Sequence, residues 1–455
     1  AWLCKLAMPN EATKIIRFVN FTLLIMLTGI LPGILIGCQT NPSQVPPVVH
    51  VQSAQSLLYV TPSDEALTTT RMRLNEISIE GWLASDNGIL SFPISIGEAA
   101  RLSFKIGIQG SIEPGEGDGS FRVEFQSADV EADPIVVFND EINLNPDVDW
   151  DWIPVDTALG ELPSEQGELR FIVTGSIAEN PNVEILWGEP TVYYPGLITH
   201  RNVLLIGVDT LRRDAVSVYG ESPDVTPSLE EFSQSATIFD QARSQSPWTL
   251  PSFASMVTGR LPSDIGATLF SGHLPDEPET LGEYIRSRGY ATATICTNTW
   301  LGNEKSGFHQ GMDELWFRHE GKADSAIDEA IDFIERSNDR DWFCFLHLID
   351  PHTAYAPPHR FIEQLRDPTY NGPYRDGFGD VEEWKGIEEI PPEEDVTQIH
   401  NLYRGEVAFV DEALGQLFDW LEEQDLMDET LIIFASDHGE EFFEHGGFEH
   451  GHTQY

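Results

Sequence analysis

The chain has 455 residues, 41% of them hydrophobic and 10% aromatic, enough for two or three packed domains and too apolar for wholesale disorder. Its 75 acidic residues against 26 Lys plus Arg leave a formal charge of −49, which repels nucleic acid and excludes it as a partner. The bulk of that charge reads as a solvated acidic coat, so an anionic substrate would need a local positive centre such as a metal.

In chain order, Lys14 and Arg17 precede FVNFTLLIMLTGILPGILIGC, a short apolar core interrupted by Pro32. A basic flank and short core predict a signal peptide rather than a spanning helix. The segment closes on Leu35-Ile36-Gly37-Cys38, which resembles the bacterial lipobox. The resemblance implies cleavage before Cys38, a lipid anchor there, and export to the cell envelope, in the periplasm or at the surface. The other reading is a plain anchor helix with an incidental cysteine. Residues 1–38 are thus expected to be a leader and 39–50 a Pro-rich spacer. Met8 reads as a start, and the stop at Tyr455 inside a motif predicts a C-terminally truncated fragment.

Over 51–195 the pattern has period two. Leu102, Phe104, Ile106 and Ile108 share one face, as do Phe121, Val123 and Phe125, and Leu169, Phe171 and Val173. This predicts an antiparallel, jelly-roll-like β-sandwich, a module that by fold analogy binds carbohydrate. The acidic EPGEGDGS between two of these strands reads as a hairpin loop, with a calcium loop as the other option.

From 196 to 455 continuous apolar runs, NVLLIGV, YATATIC, WFCFLHLI and TLIIFAS, alternate with amphipathic segments. Strands buried on both faces read this way, so the expected fold is α/β: a mostly parallel sheet with helices on both faces. PETLGEYIRSRG is expected to start at Pro278 and stop at Gly289, and the charges of YRGEVAFVDEALG are expected to form a solvated face. Cys4, Cys38, Cys296 and Cys344 are too few for a disulfide framework, and the last two read as buried thiols.

Chemistry collects after the apolar runs: Asp209 follows the first, Asp350-Pro351-His352 the third, and Asp437-His438 the fourth. In open α/β sheets sites form beyond the carboxyl ends of strands. Asp209, Asp437 and His438 together suit one divalent cation, calcium, magnesium, manganese or zinc, although each acid alone also suits a helix cap. In SPWTLPSFASMVTG, Pro251 places Thr249 at a helix start, where its hydroxyl serves either as a cap or, beside a metal, as a nucleophile. Arg212 is a candidate for anion contact or a surface ion. His347 reads as sheet packing, His445 as loop structure, and Trp248 as either core or pocket wall.

NVLLIGVDTLRRDAVSVYG, the stretch around Thr249, HLIDPHTAYAPP and SDHGEEFFEHGGFEHGH resemble, in order, the sulfatase branch of the alkaline phosphatase superfamily. The resemblance covers 201–455 and implies a metal held by Asp209, Asp437 and His438 with the nucleophile at Thr249. It also implies an anion contact and catalytic role for His352, and leaving-group or anion roles for His450 or His452. The chain departs from the family where Cys or Ser becomes formylglycine: Thr249 stands there, with Phe253 at the companion arginine's position. Thr210 replaces a second carboxylate, and Asn298 and Trp300 replace Lys and His. An unmodified threonine is similar to phosphoglycerol and phosphoethanolamine transferases and to some phosphodiesterases. The expected activity is ester hydrolysis on sulfate or phosphate esters, glycan-linked ones included, with phosphoryl transfer as the alternative. A catalytically idle glycan-binding protein is the third reading.

Overall fold

The computed structural model describes residues 2–5, 49–50, 54–59 and, with short interruptions, 69–452. Cys38, residues 39–48 of the spacer and most of the leader lie outside the described residues, as does the loop 111–117. Trp2–Lys5, inside the expected leader, forms a strand against Thr430–Ser436 and Thr237–Phe239, a pairing the leader reading did not anticipate. No described helix is long and apolar enough to cross a membrane.

The N-terminal unit is a sandwich of two sheets. Arg101–Gly110 pairs with Ile153–Ala158 and Val183–Tyr193 in one, and Asp118–Ser127 pairs with Gln166–Gly175 and Ile135–Asn143 in the other. Alternation does what period two requires: Leu102, Phe104, Ile106, Phe121, Val123, Phe125, Leu169 and Phe171 are all buried between the layers. Trp187 sits at the centre with Phe104, Phe121 and Phe171 edge-on at 5.2–5.6 Å. The hairpin expected at EPGEGDGS is corrected, because the strands Arg101–Gly110 and Asp118–Ser127 that flank it belong to different sheets.

In the C-terminal unit five strands run parallel in the order Glu314–Phe317, Ala291–Cys296, Trp342–Leu348, Asn202–Val208, Thr430–Ser436. Every residue of Asn202–Val208, Ala291–Cys296 and Thr430–Ser436 is buried, because both faces are covered. Helices Pro227–Ser233, Ala323–Arg336 and Glu393–Glu423 cover one face, and Thr249–Thr258 and Leu281–Arg286 the other. Leu281–Arg286 is capped by a Thr280–Glu283 capping box rather than started by Pro278. The expected solvated face on Glu393–Glu423 is also corrected. Glu406 and Asp411 are buried, Asp411 accepting from the backbone N–H of Ser228 and Leu229 at 2.9 Å each and so capping the neighbouring helix. Cys296 and Cys344 are buried free thiols.

The two units share one sheet. Ile77–Leu83 of the sandwich pairs antiparallel with Glu314–Phe317, joining one sandwich layer to the parallel sheet in 13 strands. Ion pairs lace this seam: Lys105 meets Glu189 and Glu314, Arg336 meets Glu314, and Arg286 meets Glu80 and Asp313.

Candidate functional site

Asn202–Val208 lies between Trp342–Leu348 and Thr430–Ser436, so the residues that follow these three strands meet at one rim. Asp209 and Asp437 are fully buried there, and one ligand atom from each of Asp209, Asp437 and His438 lies within 4.8 Å of the others. His438 Nδ1–H donates to the Gly439 carbonyl at 3.0 Å, which fixes the tautomer and turns the unprotonated Nε2 toward the acids. That nitrogen is 3.2 Å from Asp437 Oδ2 and 3.7 Å from Asp209 Oδ1. Asp437 Oδ1 accepts from the backbone N–H of Thr210 (3.1 Å) and His438 (2.7 Å), while Oδ2 has no hydrogen-bond partner among the described residues.

Two acceptor atoms 3.2 Å apart, as Nε2 and an ionised Oδ2 are, fit atoms that share a cation. The electrostatics agree. Burial, helped by the Asp437 charge, pushes the Asp209 carboxyl up to about 6, burial pushes Asp437 up to about 8, and burial pulls the His438 imidazole down to about 4. Two carboxylates without a counter-charge and a neutral imidazole suit one divalent metal.

Thr249 is the first residue of its helix, and its hydroxyl makes no capping bond, so the cap reading is corrected. Oγ1 instead lies 3.4 Å from both Asp209 oxygens and 3.4 Å from His438 Nε2. The helix is pinned to the acidic cluster by Ser252, whose hydroxyl donates to the Asp437 carbonyl at 2.7 Å. Thr210 holds φ +52°, a costly conformation for a β-branched residue, and it delivers its N–H to Asp437.

The positions that depart from the family pattern have definite structural roles. Asn298 Nδ2 donates to Asp209 Oδ2 at 2.6 Å while its Oδ1 accepts from the Trp300 N–H. Trp300, 51% exposed, meets Trp248 edge-on at 5.2 Å. Phe253 is buried over Gly207, where a Cβ would come within 2.4 Å of the phenyl ring.

Of the histidines, His352, His450 and His438 stand in a row with ring centroids 4.9 Å and 4.6 Å apart. His352 Nδ1–H donates to the Thr353 carbonyl at 2.6 Å. His450 Nδ1 lies 2.9 Å from Glu440 Oε1, whose other oxygen accepts from the Tyr355 hydroxyl at 3.1 Å. His452 does not join them: it is exposed and pairs with Glu441 at 3.0 Å. Arg212 is corrected too. Its guanidinium donates to Asp214 at 2.8 and 2.6 Å, to Glu444 at 2.5 Å and to the Glu440 carbonyl at 2.9 Å, leaving it a strut rather than an anion grip.

Sequence reasoning passed over the supports. Lys322 donates to Asp350 at 2.7 Å and Glu406 at 3.2 Å, and Glu406 also accepts from the Ala356 N–H at 2.8 Å, bracing the loop that carries His352. Only the position of Asp350 after a buried strand signals this in sequence.

A family model described as Sulfatase matches residues 201–455. Among curated proteins the chain is similar to an arylsulfatase of Clostridium perfringens, 21% identical over 313 residues covering 55% of this chain and 65% of that protein. A choline-sulfatase of Rhizobium meliloti is 22% identical over 302 residues (54% and 58% coverage), and an ulvan-active sulfatase of Formosa agariphila 24% over 284 residues (53% and 51%). The chain thus spans about half to two thirds of the length of these relatives. Among solved structures, a phosphonate monoester hydrolase of Agrobacterium radiobacter aligns with a TM-score of 0.45 at 18% identity, covering 56% of this chain and 66% of that one. With the family match extending over more than half of its residues, and over the rim where Asp209, Thr249, Asp437 and His438 meet, the chain belongs to the sulfatase family.

Proposed function

We propose that this chain is a metal-dependent hydrolase of sulfate or phosphate esters in which the unmodified Thr249 hydroxyl is the nucleophile. One observation carries the reading: Oγ1 points into the carboxylate–imidazole cluster, 3.4 Å from Asp209 and from His438, instead of capping its helix. A divalent cation held by Asp209, Asp437 and His438 would make that hydroxyl more acidic and offset charge on the ester oxygens. The threonine oxygen then attacks sulfur or phosphorus in line, its proton leaving toward the Asp209 carboxylate, and the bond to the alcohol oxygen breaks. His352, held by its Nδ1–H bond to the Thr353 carbonyl, protonates the departing alcohol through Nε2, and His450 neighbours the anion. Water completes the cycle by cleaving the threonine ester and restoring the proton.

The charge balance refines the substrate class. Among the described residues, the hydrogen bonds and ion pairs of Thr249, Asp209, Asp437 and His438 include no Lys or Arg, since Arg212 is engaged elsewhere and Phe253 is apolar. With the cation's charge balanced by the Asp209 and Asp437 carboxylates, the protonated His352 is the charge left over, which matches an ester with a single negative charge, a sulfate monoester or phosphate diester, better than a dianionic phosphate monoester. Trp248, next to Thr249 in the chain, and the exposed Trp300 packed edge-on against it supply an aromatic wall that suits a ring-bearing alcohol, such as the sugar of a glycan-linked ester. The relatives named for aryl, choline and ulvan esters differ in that alcohol part. The apolar leader ending at Cys38 supports a lipid-anchored enzyme outside the cytoplasm.

Phosphoryl transfer is the second reading, favoured by Thr249 itself, because a plain threonine ester waits for either water or an acceptor alcohol. The test is intact-mass analysis after incubation with an aryl sulfate and with aryl phosphate mono- and diesters. The expected result is a mass increment on the peptide holding Thr249, its size naming the transferred group, and no turnover by a folded Thr249→Ala variant. Full turnover by that variant refutes the mechanism, and an idle protein shows neither increment nor turnover.

A further inference from the structure

His347 is the one polar side chain in an apolar row. On the sheet face covered by helix Thr249–Thr258, successive inward positions of its strand are Phe343, Phe345 and His347. Its neighbour in register on one side is Gly207, which has no side chain, and the space is taken by Phe253, whose ring meets the imidazole edge-on at 4.9 Å. His347 is fully buried, and neither ring nitrogen has a hydrogen-bond partner among the described residues. Buried imidazoles carry at least one N–H donor, and donors left without partners are rare enough to need a reason. The reason is at the end of the row, where Nε2 lies 3.7 Å from Asp209 Oδ2, somewhat beyond hydrogen-bond length.

That oxygen already accepts from Asn298 Nδ2 at 2.6 Å. Asn298 and His347 therefore approach the same Oδ2, while Oδ1 turns toward His438 Nε2 at 3.7 Å. We propose that His347 is a positioning residue for Asp209: with its N–H on Oδ2 it sets the rotation of the carboxylate, so that Oδ1 meets the cation. The inference rests on the metal centre proposed above. His347 itself stands outside the compact ligand group of Asp209, Asp437 and His438, which favours support over direct ligation.

Mn2+ binding to the purified chain, followed by calorimetry on the wild type, His347→Leu and His347→Gln, tests this with a readout that needs no turnover. Leucine keeps the bulk and removes the donor; glutamine restores an N–H near the position of Nε2. The expected result is Mn2+ affinity about 10–100-fold weaker in His347→Leu, as for other outer-shell partners of metal ligands. His347→Gln should stay within about threefold of the wild type, and the metal-free melting temperature of His347→Leu should not fall. Wild-type affinity in His347→Leu overturns the inference while leaving the centre intact. Equal weakening in both variants overturns it too, as does parallel loss of affinity and metal-free stability, since either makes the residue packing. A wild-type chain that binds none of Mn2+, Ca2+, Mg2+ and Zn2+ sinks the centre and the inference together.

Discussion

Replacing Asp437 by Asn should stabilise the metal-free protein and destabilise it in the presence of metal, relative to wild type. The sign follows from the two oxygens. Oδ1 holds the Thr210 and His438 N–H groups, and an asparagine carbonyl can keep both. Oδ2 is the oxygen without a hydrogen-bond partner, buried and facing the His438 lone pair and the Asp209 carboxylate. A buried unsatisfied group costs about 1–3 kcal/mol and more when charged, so Asp437→Asn should gain about 2 kcal/mol without metal. At about 2–4 °C per kcal/mol for a unit of this size, the melting temperature should rise by about 4–8 °C. With a cation a thousandfold above its Kd, the wild type should gain about 4 kcal/mol and so overtake the variant. Differential scanning calorimetry in EDTA and then in Mn2+, Ca2+, Mg2+ or Zn2+ reads both halves. A variant that melts below wild type in EDTA, or a wild type indifferent to all four ions, refutes the reasoning.

Other consequences can be measured separately. Burial, opposed by the Leu229 and Ser228 N–H donors, raises the Asp411 carboxyl from 3.8 to about 6. The folded state therefore holds this proton more tightly than the unfolded chain. Its contribution is complete below about pH 4 and is lost as pH rises through 6, by up to about 3 kcal/mol at 1.36 kcal/mol per unit. Asp411→Asn should accordingly gain on the wild type between pH 4.5 and 7.5 in urea unfolding, and a flat or falling difference contradicts this. Trp300→Ala should lower kcat/KM about 3–10-fold for a ring-bearing ester, for the loss of one aromatic contact worth about 0.5–1.5 kcal/mol, and leave a methyl ester untouched. Equal losses on both would remove the aromatic wall from the substrate argument.

The parallel strands were legible because strands covered on both faces leave unbroken apolar runs, and Asp209, Asp437 and His438 were legible because they directly follow such runs. Pairing was less readable: period two marks Arg101–Gly110 and Asp118–Ser127 as strands but is silent on whether they share a sheet. Arg212 follows Asp209 closely in sequence, yet Asp214 and the distant Glu444 claim its guanidinium. His450 and His452 are indistinguishable in EHGH, and only the loop path puts one ring on His438 and the other on Glu441. His347 looked like packing because its strand is aromatic and aliphatic, and nothing local reports that the row ends against Asp209. Glu406 and Asp411 sit in a helix whose other charges are solvated, so their burial is a tertiary property.

The unbroken sheet across the seam has a practical consequence for anyone dissecting the molecule. Cutting at residue 196 to liberate the C-terminal half would strip the partner from Glu314–Phe317 and bare a raw strand edge, a template for aggregation. The same cut would take Lys105 from Glu314 and Glu80 from Arg286, so that two buried charges each lose an ion-pair partner. Module swapping should therefore carry the hairpin Thr69–Leu74 and Ile77–Leu83 along with whichever half is kept.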